Sequence, residues 1–324
     1  MSKDTGRTLR LEDKNKFSFG NWTIIYLNVA LFVLLSLTTG NFCTFANIHS
    51  ILYGVSFNFF AVVGFSLLII MGELDMSVGS LFGFGGAMMG LFVFSNHIPA
   101  GLAILFACLI AGAIGYATGF IVTKFRVNSM MVTIGVMLAV KGINWILVNK
   151  FSGRQFPGNA RSFVSVEWLG ISWTIIVMLA VVVVMGVLML RLRQLKQLYF
   201  IGQNFDTSII YGINANAAKR LCFAVSAGLS AFGGTLMTAR LNHPDVTVGA
   251  NLEIFIITAA VVSGASIFGG RGSIPRSMLG VLFIFILQNG MTAYNIDSYV
   301  QQIILGSILI LAIYLDLRIN KRKA

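Results

Sequence analysis

Long apolar runs, separated by short polar stretches, fill the sequence from about residue 22 to residue 317. No Asp, Glu, Lys or Arg occurs between Lys16 and Glu73, or between Asp75 and Lys124. Each of these two gaps has room for two membrane spans of about 20 residues. The hydrophobic pattern predicts ten spans, at residues 22–40, 48–72, 78–95, 98–122, 129–149, 169–190, 218–240, 251–268, 275–292 and 298–317.

The apolar runs predict α-helices, because a bilayer offers no hydrogen-bond partner to the open edge of a sheet. The runs are also too long and too continuous for the alternating strands of a membrane β-barrel. The predicted fold is therefore all-α, a polytopic transmembrane helix bundle of about ten spans in residues 22–318. An N-terminal segment (residues 1–21) and a short tail (residues 319–324) flank the bundle.

Lys and Arg are distributed unevenly between the predicted loops. If the N-terminus lies inside, 18 of the 23 Lys and Arg residues fall in inner segments and four in outer segments, and Lys141 lies within the fifth span. The positive-inside rule then predicts that both termini are cytoplasmic and that the number of spans is even. A re-entrant stretch would leave eight or nine spans instead.

Composition supports a membrane protein and excludes other classes. Hydrophobic residues make up 57% of the chain and charged residues 10%, with a mean hydropathy of +0.86, whereas soluble domains carry about 25% charged residues. The net charge of +12 does not indicate a nucleic-acid ligand, because the basic residues border apolar runs and form no patch. The three cysteines show no metal-type spacing, so we predict neither disulfides nor a metal site.

Two hydrophilic segments are long enough to have a role of their own. Residues 150–168 are predicted to face the periplasm, and residues 191–217 the cytoplasm, where they have room for a short surface helix. The chain contains no G-x-x-x-x-G-K-[S/T] motif for binding phosphate. We therefore expect no cofactor on this chain, and any ATP to be used by a partner subunit.

Residues 73–80 are the most informative stretch of the sequence. Two carboxylates stand between apolar runs and are followed by Ser-x-Gly-Ser, a combination that breaks one helix and caps the next. A broken helix can direct its N-terminus and hydroxyl groups at a polar solute. On this interpretation Asp75, Ser77, Gly79 and Ser80 belong to a translocation pathway. A tight cytoplasmic turn capped by Asp75 explains the spacing equally well.

Lys141, near the middle of the fifth span, is a further pathway candidate. A lysine at this depth is costly unless it is paired or faces an aqueous cavity, although it can also snorkel to the outer surface. Asp245 and Glu253, near the outer end of the eighth span, are interpreted as interfacial. Residues 263–273 are rich in small side chains, which favour close packing or an irregular backbone, or else a flexible turn.

No catalytic arrangement is visible, which argues against a membrane enzyme. The three histidines, His49, His97 and His243, lie far apart in predicted outer loops or at span ends. No Ser-His-Asp or His-x-x-His pattern occurs.

Three motifs resemble those of a known family. Residues 73–80 match G-[I/V]-D-L-S-V-G-S, with Glu73 in place of the first glycine, and residues 264–273 match the last ten positions of G-G-x-S-L-F-G-G-R-G-S. Thr133-Ile134-Gly135 and Lys141-Gly142 match a T-L-G followed by a basic-Gly pair. On these motifs, residues 48–318 resemble the permeases of bacterial ribose-type ABC importers, which also serve xylose, arabinose, galactose-like sugars and the autoinducer-2 signal.

The resemblance implies that residues 200–217 form the coupling segment that docks into a groove of the ATPase. The family pattern G-x-N-x-x-A-A-x-x-S-G-I-N corresponds to residues 202–214, where Thr207-Ser208 and Tyr211 replace the Ala pair and the Ser. These changes fit a dedicated ATPase or one half of a heterodimeric permease. The implied coupling residues are Gly202, Asn204, Gly212, Ile213 and Asn214, and the implied inner-face glycine loop is Gly269, Gly270, Arg271 and Gly272.

The resemblance also implies an activity and its partners. It implies ATP-driven import of a monosaccharide (pentose or hexose) or a related polyol-like solute across the bacterial inner membrane. The implied partners are an ABC ATPase, a second permease copy or paralogue, a periplasmic sugar-binding protein and the lipid bilayer. The alternative is an ion-gradient-driven secondary transporter. Its signature would be paired ionisable residues in several spans, whereas here only Lys141 lies clearly inside one.

Overall fold

The computed structural model describes residues 19–151, 153–157, 166–168 and 170–321. The predicted terminal segments therefore lie mostly outside the described residues, as does much of the predicted periplasmic segment 150–168. The described residues form twelve helices and a two-stranded antiparallel hairpin. The helices are α1 (Phe19–Thr38), α2 (Phe45–Ile70), α3 (Val78–Asn96), α4 (Ala100–Phe125), α5 (Ser129–Lys150), α6 (Trp173–Arg191), α7 (Arg193–Gln203), α8 (Phe205–Ile210), α9 (Ala215–Leu241), α10 (Leu252–Val262), α11 (Ile274–Ala293) and α12 (Ser298–Lys321). The hairpin strands are β1 (Glu167–Trp168) and β2 (Ile171–Ser172), which come before α6.

Eight of the described helices, namely α2–α6, α9, α11 and α12, are long and apolar enough to cross a membrane. The prediction of an all-α, polytopic membrane bundle is confirmed, apart from the small hairpin. The other two predicted spans correspond to the shorter apolar helices α1 and α10.

The predicted span at 251–268 differs from the structure, because α10 has only 11 residues. At 1.5 Å per residue it is about 16 Å long, roughly half of the 30 Å hydrocarbon layer. The helix ends at Val262, just before Gly264, whose φ of 95° belongs to the left-handed region that favours glycine. Gly269 and Gly270, with φ angles of 83° and 72°, keep the residues that follow out of a helix. Residues 263–273 are therefore an irregular connection.

The centre of the bundle is a close packing of α2, α3, α4 and α9. Small residues allow the helix backbones to touch: a Cβ atom on Gly85 or Gly234 of this core would overlap the main chain of Ala231 or Phe82 respectively. Without a strong hydrophobic drive between helices in lipid, such close backbone contact is the main source of packing energy. Helices α3 and α9 are therefore fixed against each other.

Four connections gather at one end of the bundle, which we call the α7–α8 end. They are residues 71–77, 126–128, 192–214 and 263–273. The Gly270 amide donates to Ile70 O at 2.8 Å, and Leu74 N lies 3.4 Å from Ser129 Oγ. The predicted coupling segment, the predicted glycine loop and segment 71–77 thus lie side by side.

Candidate functional site

Segment 71–77 joins α2 to α3 and is held against α5. After a turn at Gly72 (φ 76°), Leu74 N and Met76 N donate to the hydroxyls of Ser129 and Thr133, at 3.4 and 3.1 Å. These two amides of the non-helical segment thus receive partners from α5. The helix break predicted from the sequence is present.

Asp75 is buried, with 2% of its surface exposed. One of its carboxylate oxygens accepts hydrogen bonds from Ser77 N, at 2.9 Å, and from Ser77 Oγ. This geometry shapes the turn that leads into α3, where Ser77 occupies the N-cap position without a side-chain cap hydrogen bond. Neither side chain is open to solvent.

The first turn of α3 lies deep in the bundle. Ser80 O accepts a hydrogen bond from Asn144 Nδ2 at 2.9 Å. Asn144 is fifteen residues beyond Ser129, the first residue of α5, which places it about 22 Å along that helix. Lys141 is about 18 Å along it, near the middle of the span.

The N-terminus of α10 meets the N-terminus of α3 at this depth. A Cβ atom on Gly79 would overlap Glu253 Oε2 and would lie 2.7 Å from Gly249 O. Both helix N-termini carry a partial positive charge, which favours an anionic group between them. Glu253, only 5% exposed, occupies that place.

Lys141 and Glu253 form an ion pair inside the bundle. Lys141 Nζ lies 3.4 Å from Glu253 Oε1, with the lysine side chain 38% exposed. Among the described residues, neither Glu253 Oε2 nor Asn144 Oδ1 has a hydrogen-bond partner. We call Gly79, Ser80, Lys141, Asn144 and Glu253 the central cluster. It contains a cation and two buried, unused acceptors.

The central cluster changes two expectations from the sequence and adds one residue. Glu253 is not an interfacial residue but is buried against Gly79. Lys141 does not snorkel to a surface, since it pairs with Glu253. Asn144 was missed altogether, although an amide three residues after Lys141 occupies the same helix face, and this spacing was the available signal.

The coupling residues predicted from the sequence build the joints of helices α7–α9. Asn204 caps α8 by accepting from Thr207 N at 2.9 Å, and Asn214 caps α9 by accepting from Ala217 N at 3.1 Å. Gly212 has a φ of 76°, and Ile213 N donates to Ser208 O at 3.1 Å. A Cβ atom on Gly202 would overlap Ile70 O, so this residue is a packing contact.

Helix α8 presents an apolar tip. Ile210 and Tyr211 are 83% and 81% exposed, beside a groove of about 620 Å³ whose lining includes Arg193 and Lys196 of α7. This exposed apolar group stands next to a polar groove, at the end of the bundle and away from the lipid-facing helices. Such a combination is typical of a protein interaction surface.

The glycine loop fills the space between α2 and α7. Gly269 approaches Gly202 O so closely that a Cβ atom would lie 2.8 Å from it. Arg271 O accepts from Ser266 N at 3.2 Å, and Gly272 O accepts from the Tyr199 hydroxyl at 2.9 Å. Burial raises the pKa of Tyr199, which keeps this phenol protonated as a donor. The structure thus joins the predicted glycine loop to the coupling segment.

A second ion pair lies at the α7–α8 end. Lys219 of α9 pairs with the carboxylate of Glu73, and their side chains are only 15% and 11% exposed. The same ammonium group lies 4.3 Å from the ring centroid of Phe205. We call Glu73, Phe205 and Lys219 the terminal cluster. The sequence singled out Glu73 only as a departure from a motif, and gave no signal for Lys219.

A cavity of about 680 Å³ adjoins the terminal cluster. Its walls come from segment 71–77, the α4–α5 connection, α8 and the first turns of α9. Its polar lining includes Arg126, Asn128, Asp206 and Asn216. The described residues contain no group of three or more His, Cys, Asp or Glu that could hold a metal ion.

Comparison with known proteins gives one consistent result. Residues 47–313 match the family model described as branched-chain amino acid transport system / permease component. The chain is 31% identical over 305 residues to the ribose import permease protein of Escherichia coli K12, which covers 91% of this chain and 93% of the relative. It is 30% identical over 307 residues to the L-arabinose ABC transporter permease protein of Azospirillum brasilense, covering 93% and 89%. It is 26% identical over 303 residues to the D-allose transport system permease protein of Escherichia coli K12, covering 94% and 92%. No solved structure matches the chain.

Proposed function

Because the chain belongs to the family of permease components of branched-chain amino acid transport systems, and relatives of it are named for ribose, L-arabinose and D-allose, we propose that it forms the membrane pathway of an ATP-driven sugar importer. The family consists of transport permeases, so the chain is a multi-pass membrane permease and not an enzyme. The finer statements, on the solute, the energy source and the partners, are proposals.

The central cluster is the observation that carries the proposal for the pathway. Two helices begin inside the bundle, and a carboxylate, an amide and an ammonium group lie where they meet. Broken helices at mid-depth are a recurrent way to present backbone and side-chain groups to a polar solute. Asp75 and Ser77 support the pathway by shaping the turn into α3, while Gly79, Ser80 and Lys141 contribute to its wall.

The solute class follows from the chemistry of the cluster and from the named relatives. Glu253 and Asn144 offer acceptors and Lys141 offers donors, a combination that suits the hydroxyl groups of a polyol. Three relatives are named for ribose, L-arabinose and D-allose. We therefore propose a monosaccharide or a similar polyhydroxylated solute.

Energy is proposed to come from a separate ABC ATPase that docks on the exposed tip of α8. The caps Asn204 and Asn214, with Gly202, Gly212 and Ile213, support the shape of this docking region. The glycine loop of Gly269, Gly270, Arg271 and Gly272 braces it from the inner side. No cofactor binds this chain in the proposal, and ATP is used by the partner.

We place the α7–α8 end in the cytoplasm of a bacterium and the protein in its inner membrane. The excess of Lys and Arg in the segments at this end supports that orientation. A second permease copy or paralogue and a periplasmic sugar-binding protein complete the proposed importer.

Transport by purified components tests the proposal. The permease is reconstituted in liposomes with and without the ATPase that copurifies with it, and uptake of radiolabelled sugars is measured with the binding protein present. We expect uptake that requires both the ATPase and ATP.

Ion-gradient-driven transport is the second candidate, because the Lys141–Glu253 pair is an ionisable pair inside the bundle. Uptake by the permease alone, driven by a proton or sodium gradient, would establish that alternative and exclude the importer.

A further inference from the structure

The three side chains of the terminal cluster connect two parts of the molecule that have separate proposed roles. Phe205 is the first residue of α8, the proposed ATPase contact, and Glu73 belongs to segment 71–77, which leads into the pathway. Lys219 contacts both of these residues. We propose that Lys219 is a positioning residue that transmits movement of α8 to segment 71–77. This inference rests on the proposed importer function.

One atom makes both contacts. Lys219 Nζ pairs with the Glu73 carboxylate and lies 4.3 Å from the Phe205 ring centroid. A cation–π contact and an ion pair that share one ammonium group are coupled, because shifting the ring changes the position at which the ammonium is most stable. Low exposure of both charged side chains reduces the screening of the pair by water and salt.

The supports on either side of Lys219 differ in rigidity. Lys219 belongs to α9, which packs along α2, α3 and α4 and is fixed by backbone contacts. Helix α8 has only six residues and lies between the cap Asn204 and the left-handed Gly212. A push on α8 therefore displaces Phe205 relative to Lys219, while the rest of α9 stays in place.

Hydrogen bonds tie segment 71–77 to α5 directly after Glu73. A shift of Glu73 therefore moves the rest of the segment against α5. The neighbouring Leu74 amide donates to Ser129, and the Met76 amide donates to Thr133. Thr133 Oγ1 also donates to Leu74 O at 3.5 Å, and Asp75 lies between Leu74 and Met76. A changed ion pair at Glu73 thus acts on the turn that starts α3 and, through Gly79, on the central cluster.

The test measures coupling rather than activity alone. Full-length permease is reconstituted with its copurifying ATPase and binding protein, and sugar uptake is divided by ATP hydrolysed. Lys219→Met removes the charge and keeps the chain length; we expect uptake per ATP to fall about fivefold or more, the range of a typical coupling free energy. Lys219→Arg keeps both contacts and should restore most of the ratio.

Lys124→Met is the matched control. Lys124 also lies over a phenylalanine, with its Nζ 5.3 Å from the Phe120 ring centroid, but it has no place in the proposed route. We expect its uptake per ATP to equal that of the wild type. A Lys219→Met ratio equal to the control would overturn the inference and leave the importer proposal standing. Absence of ATP-dependent uptake by the wild type would instead count against the importer.

If the Lys219→Met permease does not assemble with its partners, two further variants test the same inference. Glu73→Gln keeps the shape of the side chain and removes only the charge, and Phe205→Leu removes only the ring. We expect each to lower uptake per ATP, and the double variant Glu73→Gln/Phe205→Leu to lose less than the product of the two single losses, because both act through Lys219. Losses that multiply independently would contradict a shared route.

Discussion

The central and terminal clusters each contain a lysine paired with a glutamate, but their surroundings differ. In the central cluster the Lys141–Glu253 contact is 3.4 Å, the lysine side chain is 38% exposed, and Glu253 Oε2 has no partner among the described residues. In the terminal cluster both side chains are at most 15% exposed, and the lysine also contacts a ring.

Because of this difference, we expect the two ion pairs to have different roles. Burying a charge is favourable only when its hydrogen-bonding capacity is well used. In the terminal pair the lysine ammonium contacts both a carboxylate and an aromatic ring, and so connects two elements. The central pair leaves acceptors unused, a cost that a passing solute with hydroxyl groups would relieve. We therefore expect changes in the central cluster to affect uptake itself, and changes in the terminal cluster to affect coupling.

The largest effect is expected from Glu253→Gln. The substitution keeps the size of the side chain but leaves Lys141 without a counter-charge inside the bundle, which costs several kcal/mol for a fully buried pair and less here because Lys141 is partly exposed. We expect uptake to fall about tenfold, the equivalent of about 1.4 kcal/mol. Asp245→Asn is the control, since Asp245 accepts its bonds from Thr247. Equal uptake by the two variants would remove Glu253 from the pathway.

Gly79→Ala should come next. The added Cβ would overlap Glu253 Oε2, so the first turns of α3 and α10 would have to separate. Overpacking of this kind costs about 1–3 kcal/mol, which thermal unfolding of the purified protein in detergent would measure. Gly135→Ala is the control, because a Cβ there meets no described atom within 4 Å. Equal unfolding temperatures for the two variants would contradict the close contact of α3 with α10.

Asp75→Ala is expected to have a moderate effect on transport. It removes the acceptor for Ser77 N and Ser77 Oγ, a loss similar to that of a helix cap, about 1 kcal/mol. We expect uptake to fall about fivefold while the complex assembles normally, as measured by size-exclusion chromatography. Asp75→Asn keeps an acceptor oxygen and should lose less. Normal uptake by Asp75→Ala would mean that Asp75 is only a cap.

Asn204→Ala should have the smallest effect of these variants. Like a change in the terminal cluster, it should lower the coupling of uptake to ATP hydrolysis. It removes the cap of α8, where water can partly replace the lost bond at this exposed position. We expect ATP hydrolysis to continue and uptake per ATP to fall about twofold, by less than the roughly 1 kcal/mol of a full cap loss. Asn204→Asp retains the cap and serves as the control. Full uptake with both Asn204 and Gly212 replaced by Ala would defeat the assignment of residues 202–214 to coupling.

Most of the fold could be predicted from hydrophobic run length alone. Where an apolar run has 19 or more residues and no left-handed position, as in α2 or α4, the predicted span and the helix agree to within a few residues. The prediction failed at 251–268, because an apolar run does not reveal that α10 ends at Val262, just before Gly264, which adopts a left-handed conformation.

The candidate site was less accessible to sequence reasoning. The helix break at 73–80 and the caps Asn204 and Asn214 are local, so residue type and spacing indicate them. The pairings Lys141–Glu253 and Glu73–Lys219 join residues 112 and 146 positions apart in the chain. Only helix packing brings them together, and a single sequence contains no record of it.

The short length of α10 has a consequence for biosynthesis. Membrane insertion machinery accepts segments that can cross the hydrocarbon layer, and a segment of 11 apolar residues is below that length. Helix α10 is therefore not stable in lipid as a segment alone. It must enter the bilayer together with α9 and α11, and Glu253 becomes shielded from lipid only when α3 and α5 already stand beside it.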